Sequence, residues 1–357
     1  MIALEDQVHL QAADLGPVRD FLQNALKMKS RGETHHYNHL LRQLRQRDDP
    51  ETLWRVYLGL TSCVGSVTQR PDEFSELIQS LFAYDWKLEK RINVALINLL
   101  GHLVSANSIF LIPTLQMVLK ALSSLSTSLL TDSEGSSEQA PSSANSILHK
   151  GDSTNDELTS MLHNTLRHCV SSVPTGLVEL MPVAISNFPY RKRPLECITN
   201  YIYQLLRLCD YLPVLQPKML ELIIERCLEI DVEIWIEDTG EVCIKPVENE
   251  LEDSMDGGIF KIDELHTVET HATPFRETSL QIASDVAEMA EKLDAMLILL
   301  IEYVDRQLVL GDEQGDRLFC HIIAIFEDKI LLAHRSKFVQ VRHSTYLLLT
   351  KHCHIFS

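Results

Sequence analysis

The sequence predicts an all-α fold, a HEAT-like helical repeat (α-solenoid) with disordered Ser-rich and acidic loops set into it. Three observations lead there. Apolar residues recur at helical spacing in run after run of about 12–16 residues, with short joints between them. Hydrophobic residues make up 45% of the 357, enough for packed cores. Bulky apolar residues nearly vanish in two long segments, which marks those as loops rather than core elements.

Leu15–Lys29 opens the array, with Pro17 placed where a first helical turn tolerates it. Arg31-Gly32-Glu33-Thr34 breaks it. Tyr37–Arg47 carries Leu40, Leu41 and Leu44 on one side and Arg42, Arg45 and Arg47 largely on the other. Asp48-Asp49-Pro50 stops that helix and starts the next, Trp54–Val67. Phe74–Leu81 follows. Glu89–Val104 has a broad stripe of Ile92, Ala95, Leu96, Leu99, Leu100 and Leu103, and Ile109–Leu122 continues with Pro113 in its first turn.

The first loop is Ser-rich. Ten of the 24 residues from Ser123 to Ser146 are serine. Such a segment cannot bury enough surface to offset the entropy of ordering it. With Glu134, Glu138, Asp152 and Asp156 nearby, it reads either as a plain linker or as a kinase substrate, Ser153 being the candidate phosphorylation site. Helices resume at Glu157–Val170. Gly176–Asn187 bears Leu177, Leu180, Met181 and Ile185, and a Pro-bounded basic joint, Phe188–Pro194, follows. After Leu195–Leu208 comes Lys218–Leu228, in which Met219, Leu220, Ile223, Ile224 and Cys227 share a face.

The second loop is acidic. Ile230–Thr270 holds thirteen acidic residues and two lysines. Within it Glu233–Ile236 and Val242–Ile244 flank Asp238-Thr239-Gly240, a hairpin pattern, although two strands alone are marginal. Ser279–Val304 and Gly315–Leu332 return to helix. The expected organisation is therefore 1–122 N-terminal helical repeats, 123–156 Ser-rich loop, 157–230 central repeats with the basic joint, 231–278 acidic loop, 279–340 continuing repeats and 341–357 a divergent tail.

Net charge is −18, from 50 acidic against 32 basic residues. That balance disfavours gripping nucleic acid, which needs Lys and Arg to release counterions, so little or no direct DNA binding is expected. No run is long and uncharged enough for a membrane span, and no leader pattern opens the chain. Eight cysteines without a C-x-x-C pair suggest buried thiols in a reducing compartment.

Chemistry is sparse. The single D-T-G lacks the second carboxylate an aspartic protease needs and reads as a turn. His35, His36 and His39 have a spacing that lines up ligands on a helix, but a solvated helix start explains them as well. Phosphate loops, dinucleotide fingerprints and nucleophile elbows are missing. No catalytic, cofactor or metal residues are assigned, and the chain is not expected to be an enzyme. Two cationic features remain, Arg42/Arg45/Arg47 and Arg191-Lys192-Arg193. Each is either a solvated or internally paired face, or a docking patch for an acidic partner; Arg191, Lys192 and Arg193 are the candidate partner-binding residues.

The stretch Val173–Val232, VPTGLVELMPVAISNFPYRKRPLECITNYIYQLLRLCDYLPVLQPKMLELIIERCLEIDV, closely resembles the RNA polymerase I-specific transcription initiation factor family of the TIF-IA type. Lys29–Thr34, Gly101–Ala106 with Phe110–Pro113, Ala290–Asp294 and Ile325–Leu332 are similar to further family segments in the same order. The resemblance runs from about Ala25 to Gln340 and is identified as one to the N-terminal half of the family only. It implies a HEAT-repeat solenoid without a catalytic centre, in the nucleus and nucleolus. It also implies a phosphoprotein that binds RNA polymerase I subunits and links them to promoter-bound initiation factors. By the same resemblance Thr175, beside the V-P motif, is a candidate phosphorylation site, and the partner contact falls near Thr175 and Arg191–Arg193. Family members continue well beyond the segment at Ile325–Leu332. The expectation is therefore that later repeats and their promoter-factor contacts are lost, leaving as alternatives an inactive partial form or a general HEAT-type adaptor without polymerase contact.

Overall fold

A computed structural model describes residues 15–47, 49–84, 86, 89–124, 153–236, 242–244, 275–309 and 313–333. The described chain is helical apart from one short hairpin, and its helices stack on one another as HEAT-like repeats do. It divides into two compact units, one ending at Met219 and the other beginning at Leu220.

In the first unit the helices are α1 (Gly16–Lys29), α2 (His35–Gln46), α3 (Pro50–Thr61), α4 (Val64–Gln69), α5 (Ser75–Phe82), α6 (Lys90–Ala106), α7 (Leu111–Ser124), α8 (Ser153–Ser172), α9 (Gly176–Ser186) and α10 (Leu195–Tyr211). Contacts run along two rows. One is α3 on α6 and α6 on α8; the other is α2 on α5, α5 on α7, and α7 on α9 and α10. This is the pairing a helical repeat needs, because no single pair can bury its own apolar faces. The expected stripe of α6 is buried throughout, from Ile92 to Leu103, as are Leu40, Leu41 and Leu44 of α2.

Several boundaries differ from the sequence reading, each for a local reason. The expected helix Trp54–Val67 is two helices, α3 and α4. The α3 start is set by Asp49, whose carboxylate accepts from the Glu51 N–H at 3.1 Å, with Pro50 as first helical residue. A 3-10 turn, Ser108–Phe110, precedes α7, and the Asn107 side chain accepts from the Ile109 N–H. Helix α8 starts at Ser153 and runs to Ser172, longer at both ends than expected. The Ser-rich loop lies outside the described residues, except that Ser123 and Ser124 close α7 and Ser153 opens α8.

A buried polar network ties α7, α8 and α10 together. Asn200 donates to the carbonyls of Leu122 at 2.9 Å and Ser123 at 3.1 Å. Gln204 donates to Asn200 Oδ1 at 3.1 Å, and its own Oε1 faces His163 Nε2 at 2.8 Å. Because that amide oxygen can only accept, His163 carries its proton on Nε2. Nδ1 then accepts from the Tyr211 hydroxyl at 2.9 Å. Burial lowers the His163 pKa to about 4, with the Gln204 hydrogen bond opposing and the Arg207 charge assisting. Arg207 donates to Ser160 Oγ at 3.0 Å and so joins α8 to α10.

Helix α11 (Gln216–Glu233) contains the boundary between the units. Its predicted inner face of Met219, Leu220, Ile223, Ile224 and Cys227 is buried. In the second unit the expected hairpin forms: β1 (Ile234–Ile236) pairs antiparallel with β2 (Val242–Ile244), Trp235 opposite Cys243. Helix α12 (Phe275–Val309) packs on both strands, the third layer that a two-stranded ribbon requires. It also packs on α13 (Glu313–Ile325), which runs into a π-helical turn, Phe326–Ile330. There Lys329 bridges Glu221 at 2.8 Å and Glu225 at 2.6 Å, and these two carboxylates hold its pKa above the ordinary lysine value. The rest of the acidic loop and the tail lie outside the described residues.

Candidate interaction surface

The basic joint is built by the end of α9 and the start of α10. The helix ends at Ser186, where the Asn187 N–H and side-chain amide both bond the Val183 carbonyl, at 3.1 and 2.9 Å. The Phe188 N–H reaches the Ile185 carbonyl at 3.2 Å, and the Arg193 N–H closes a turn on the Tyr190 carbonyl at 2.8 Å. Pro194, extended at φ −51° and ψ 147°, launches α10. Beneath this turn the Phe188 ring stands edge-on to buried Tyr201, centroids 5.4 Å apart, and the Tyr201 hydroxyl donates to the Ala184 carbonyl at 2.8 Å. The joint is thus a braced shelf, and a braced shelf presents its cations at low entropic cost.

On that shelf Lys192 and Arg193 are exposed, and the Arg191 guanidinium lies 5.6 Å from the centroid of the Tyr190 ring. Tyr190 is itself 60% exposed. The other cationic feature lies on α2 and the residue that follows it. Arg45 pairs with Glu76 at 3.3 Å, and Arg47 ends α2 in the left-handed conformation with its guanidinium on the Ala83 carbonyl and over Tyr84. Those two arginines are absorbed within the fold, as is Arg207.

Thr175 is exposed and precedes the first residue of α9, where its side chain makes no capping hydrogen bond. Thr175 stands before the first residue of an eleven-residue helix, about 16 Å long at 1.5 Å per residue, and Arg191–Arg193 follow its other end. A phosphate on Thr175 would act on the N-terminus of α9 rather than pair directly with those cations. Ser153 is the first residue of α8, and its side chain lies outside the described residues.

The sequence singles out Leu177, Leu180, Met181 and Ile185 as the apolar residues of α9. The structure instead buries Leu180, Val183 and Ala184 and leaves Ile185 at 45% exposure, with Val178 at 72%. The missed signal was composition: Glu179 is the only charged residue in Gly176–Ser186, so apolar side chains point outward as well as inward. His36 and His39 stand edge-on to Phe21, with centroids 5.8 and 6.1 Å away, and His35 on His36. Among the described residues no three His, Cys, Asp or Glu side chains are placed to share a metal ion. Cys63, Cys169, Cys209 and Cys227 are buried thiols, and burial pushes the Cys169 thiol up to about 11. No described helix is long and apolar enough to cross a membrane.

Comparison with known proteins matches residues 12–342 to the family described as RNA polymerase I specific transcription initiation factor RRN3. A curated relative, RNA polymerase I-specific transcription initiation factor RRN3 of Mus musculus, is 29% identical over 323 residues, covering 88% of this chain and 46% of its own. The corresponding factor of Schizosaccharomyces pombe is 23% identical over 335 residues, covering 90% of this chain and 51% of its own. A solved structure, the crystal structure of RNA polymerase I transcription initiation factor Rrn3, superposes with a TM-score of 0.60 at 16% identity. It covers 90% of this chain and 54% of that one, and supports the fold.

These matches overturn the restriction of the resemblance to an N-terminal half of the family. Kinship extends across nearly the whole chain, on both sides of the stretch read from motifs. The reason is that a helical array keeps its identity in dispersed apolar positions, which contiguous motifs under-report at the ends. The chain spans about half the length of the curated relatives it matches. With a family match over residues 12–342, the chain belongs to the RNA polymerase I specific transcription initiation factor RRN3 family.

Proposed function

We propose that this chain acts as an RNA polymerase I transcription initiation factor: it binds the polymerase and helps recruit it to the ribosomal RNA gene promoter, in the nucleus and nucleolus. The family match over residues 12–342 carries this reading. The stacked helices support it, since such an array presents an extended side-chain surface. Arg191, Lys192 and Arg193 are the proposed contact for an acidic surface of the polymerase or of a promoter-bound factor. Phosphorylation at Thr175 and Ser153 is the proposed regulation. A phosphate on Thr175 adds about two negative charges at the N-terminus of α9, which changes the field along the same face.

The test is affinity purification of the tagged chain from nuclear extract, beside a full-length relative as positive control. Co-purification of polymerase I subunits and nucleolar staining are expected. A clean control with neither result for this chain would rule the reading out. Replacement of the exposed Lys192 and Arg193 by glutamate should weaken recovery of the polymerase without changing the urea midpoint.

A further inference from the structure

Helix α12 leaves one face uncovered. Glu291, Asp294, Ile298, Ile301 and Asp305 follow one another at steps of three and four residues, which places them on one side of the helix. All five are exposed, Ile298 at 48% and Ile301 at 52%. The inward side carries Lys292, Met296 and Tyr303, all buried. An isoleucine pair one turn apart thus stands in solvent between carboxylates, two toward the start of the helix and one toward its end. Glu291, Asp294 and Asp305 make no ion pair among the described residues. The cations of this stretch are directed elsewhere. Lys292 is on the inward side, 2.6 Å from Glu288, and the Arg306 guanidinium lies 5.3 Å from the centroid of the Tyr303 ring.

We infer that residues 334–357 of this same chain lie along that face, with apolar side chains on Ile298 and Ile301 and cations against Glu291, Asp294 and Asp305. The segment fits by composition. It has no aspartate or glutamate, where the whole chain has 50, and it carries Arg335, Lys337, Arg342 and Lys351. Tyr346-Leu347-Leu348-Leu349 supplies an apolar run with a cation on either side of it. Opposite charges around an apolar centre fix the register of such a contact. The segment is joined to Ala333, in the unit that contains α12. Covalent attachment gives it an effective concentration on the order of millimolar, so even a contact of modest intrinsic affinity is populated. The face runs about 21 Å from Glu291 to Asp305 at 1.5 Å per residue, well within the span of 24 residues. The family match ends at residue 342, ahead of the Tyr346–Leu349 run, and the inference does not rest on the polymerase reading.

The experiment uses the full chain alone. A photo-reactive amino acid replaces Ile298, and in a second protein Ile301, both exposed positions. Far-ultraviolet circular dichroism and urea midpoints matching the unsubstituted chain establish that each is folded. After irradiation in dilute solution, products are separated by mass and their cross-linked peptides are identified by mass spectrometry. The expected product has the mass of one chain and joins the probe to a peptide within residues 334–357. Lys337→Glu with Arg342→Glu should lower its yield at least threefold, and adding Glu291→Lys with Asp294→Lys should restore it. Capture of any other segment of the chain, a covalent dimer with a second copy on the face, or no capture overturns the inference. So does a yield that falls less than threefold on charge reversal, or a loss that the charge exchange does not restore. None of these outcomes bears on recovery of RNA polymerase I, so the two readings fail separately.

Discussion

His163 is held neutral by its surroundings, and this has a measurable consequence. Its folded pKa is about 4 against 6.5 when unperturbed. Between those values the unfolded chain binds a proton at this site that the folded chain does not. Stability therefore rises with pH across that window, and the contribution is complete above pH 6.5. As pH falls from 7 to 5, the site should cost roughly 2 kcal/mol, at 1.36 kcal/mol per pKa unit. Urea titrations of the unsubstituted chain and of His163→Gln at both pH values isolate the effect. The difference between the two proteins should narrow by about that amount at the lower pH; a constant difference would mean that the imidazole is not desolvated as described. None of this was legible in the sequence, where His163 is one of 15 histidines. Its partners Gln204 and Tyr211 are 41 and 48 residues away, and only the packing of α8 on α10 brings them to it.

At the scale of elements, the connection from α8 to α9 is tight enough to test. A Cβ on Gly176 would lie 2.6 Å from the Val170 carbonyl oxygen and 2.7 Å from its Cα, backbone atoms that cannot turn aside. Gly176→Ala should destabilise the chain by roughly 2 kcal/mol, as overpacking does. Gly65, exposed in α4, has nothing within 4 Å of an added Cβ, so Gly65→Ala should stabilise by roughly 0.5–1 kcal/mol through helix propensity. Urea midpoints moving in opposite directions are the expected result, and equal shifts would contradict the described helix contacts. Sequence periodicity located most helices here, because apolar spacing at 3.6 residues is a local property. It misjudged joints such as that between α3 and α4, where backbone geometry at Ser62 and Cys63 rather than polarity ends the helix.

For the whole molecule, charge sets the expectation. At net −18, with Arg45, Arg47 and Arg207 engaged internally, the chain should not retard a 30-base-pair duplex at micromolar protein and physiological salt. Retardation in a gel-shift assay that weakens steeply with salt would instead reveal a phosphate-binding face. Any association with an acidic protein partner through Arg191–Arg193 should slow markedly as salt rises, because such charges act chiefly on the association rate.

The sequence by itself determined the helical class, the apolar faces of helices such as α6 and α11, the hairpin pattern and the family. All of these rest on local spacing or on the order of residues along the chain. Only the tertiary structure decided which apolar side chains remain uncovered and which cations are already paired. Ile185 and Leu180 look alike in sequence, and so do Arg45, which pairs with Glu76, and the exposed Arg193. Burial and ion pairing depend on which neighbouring helix arrives at each face, and that is a property of the packed array rather than of any one helix.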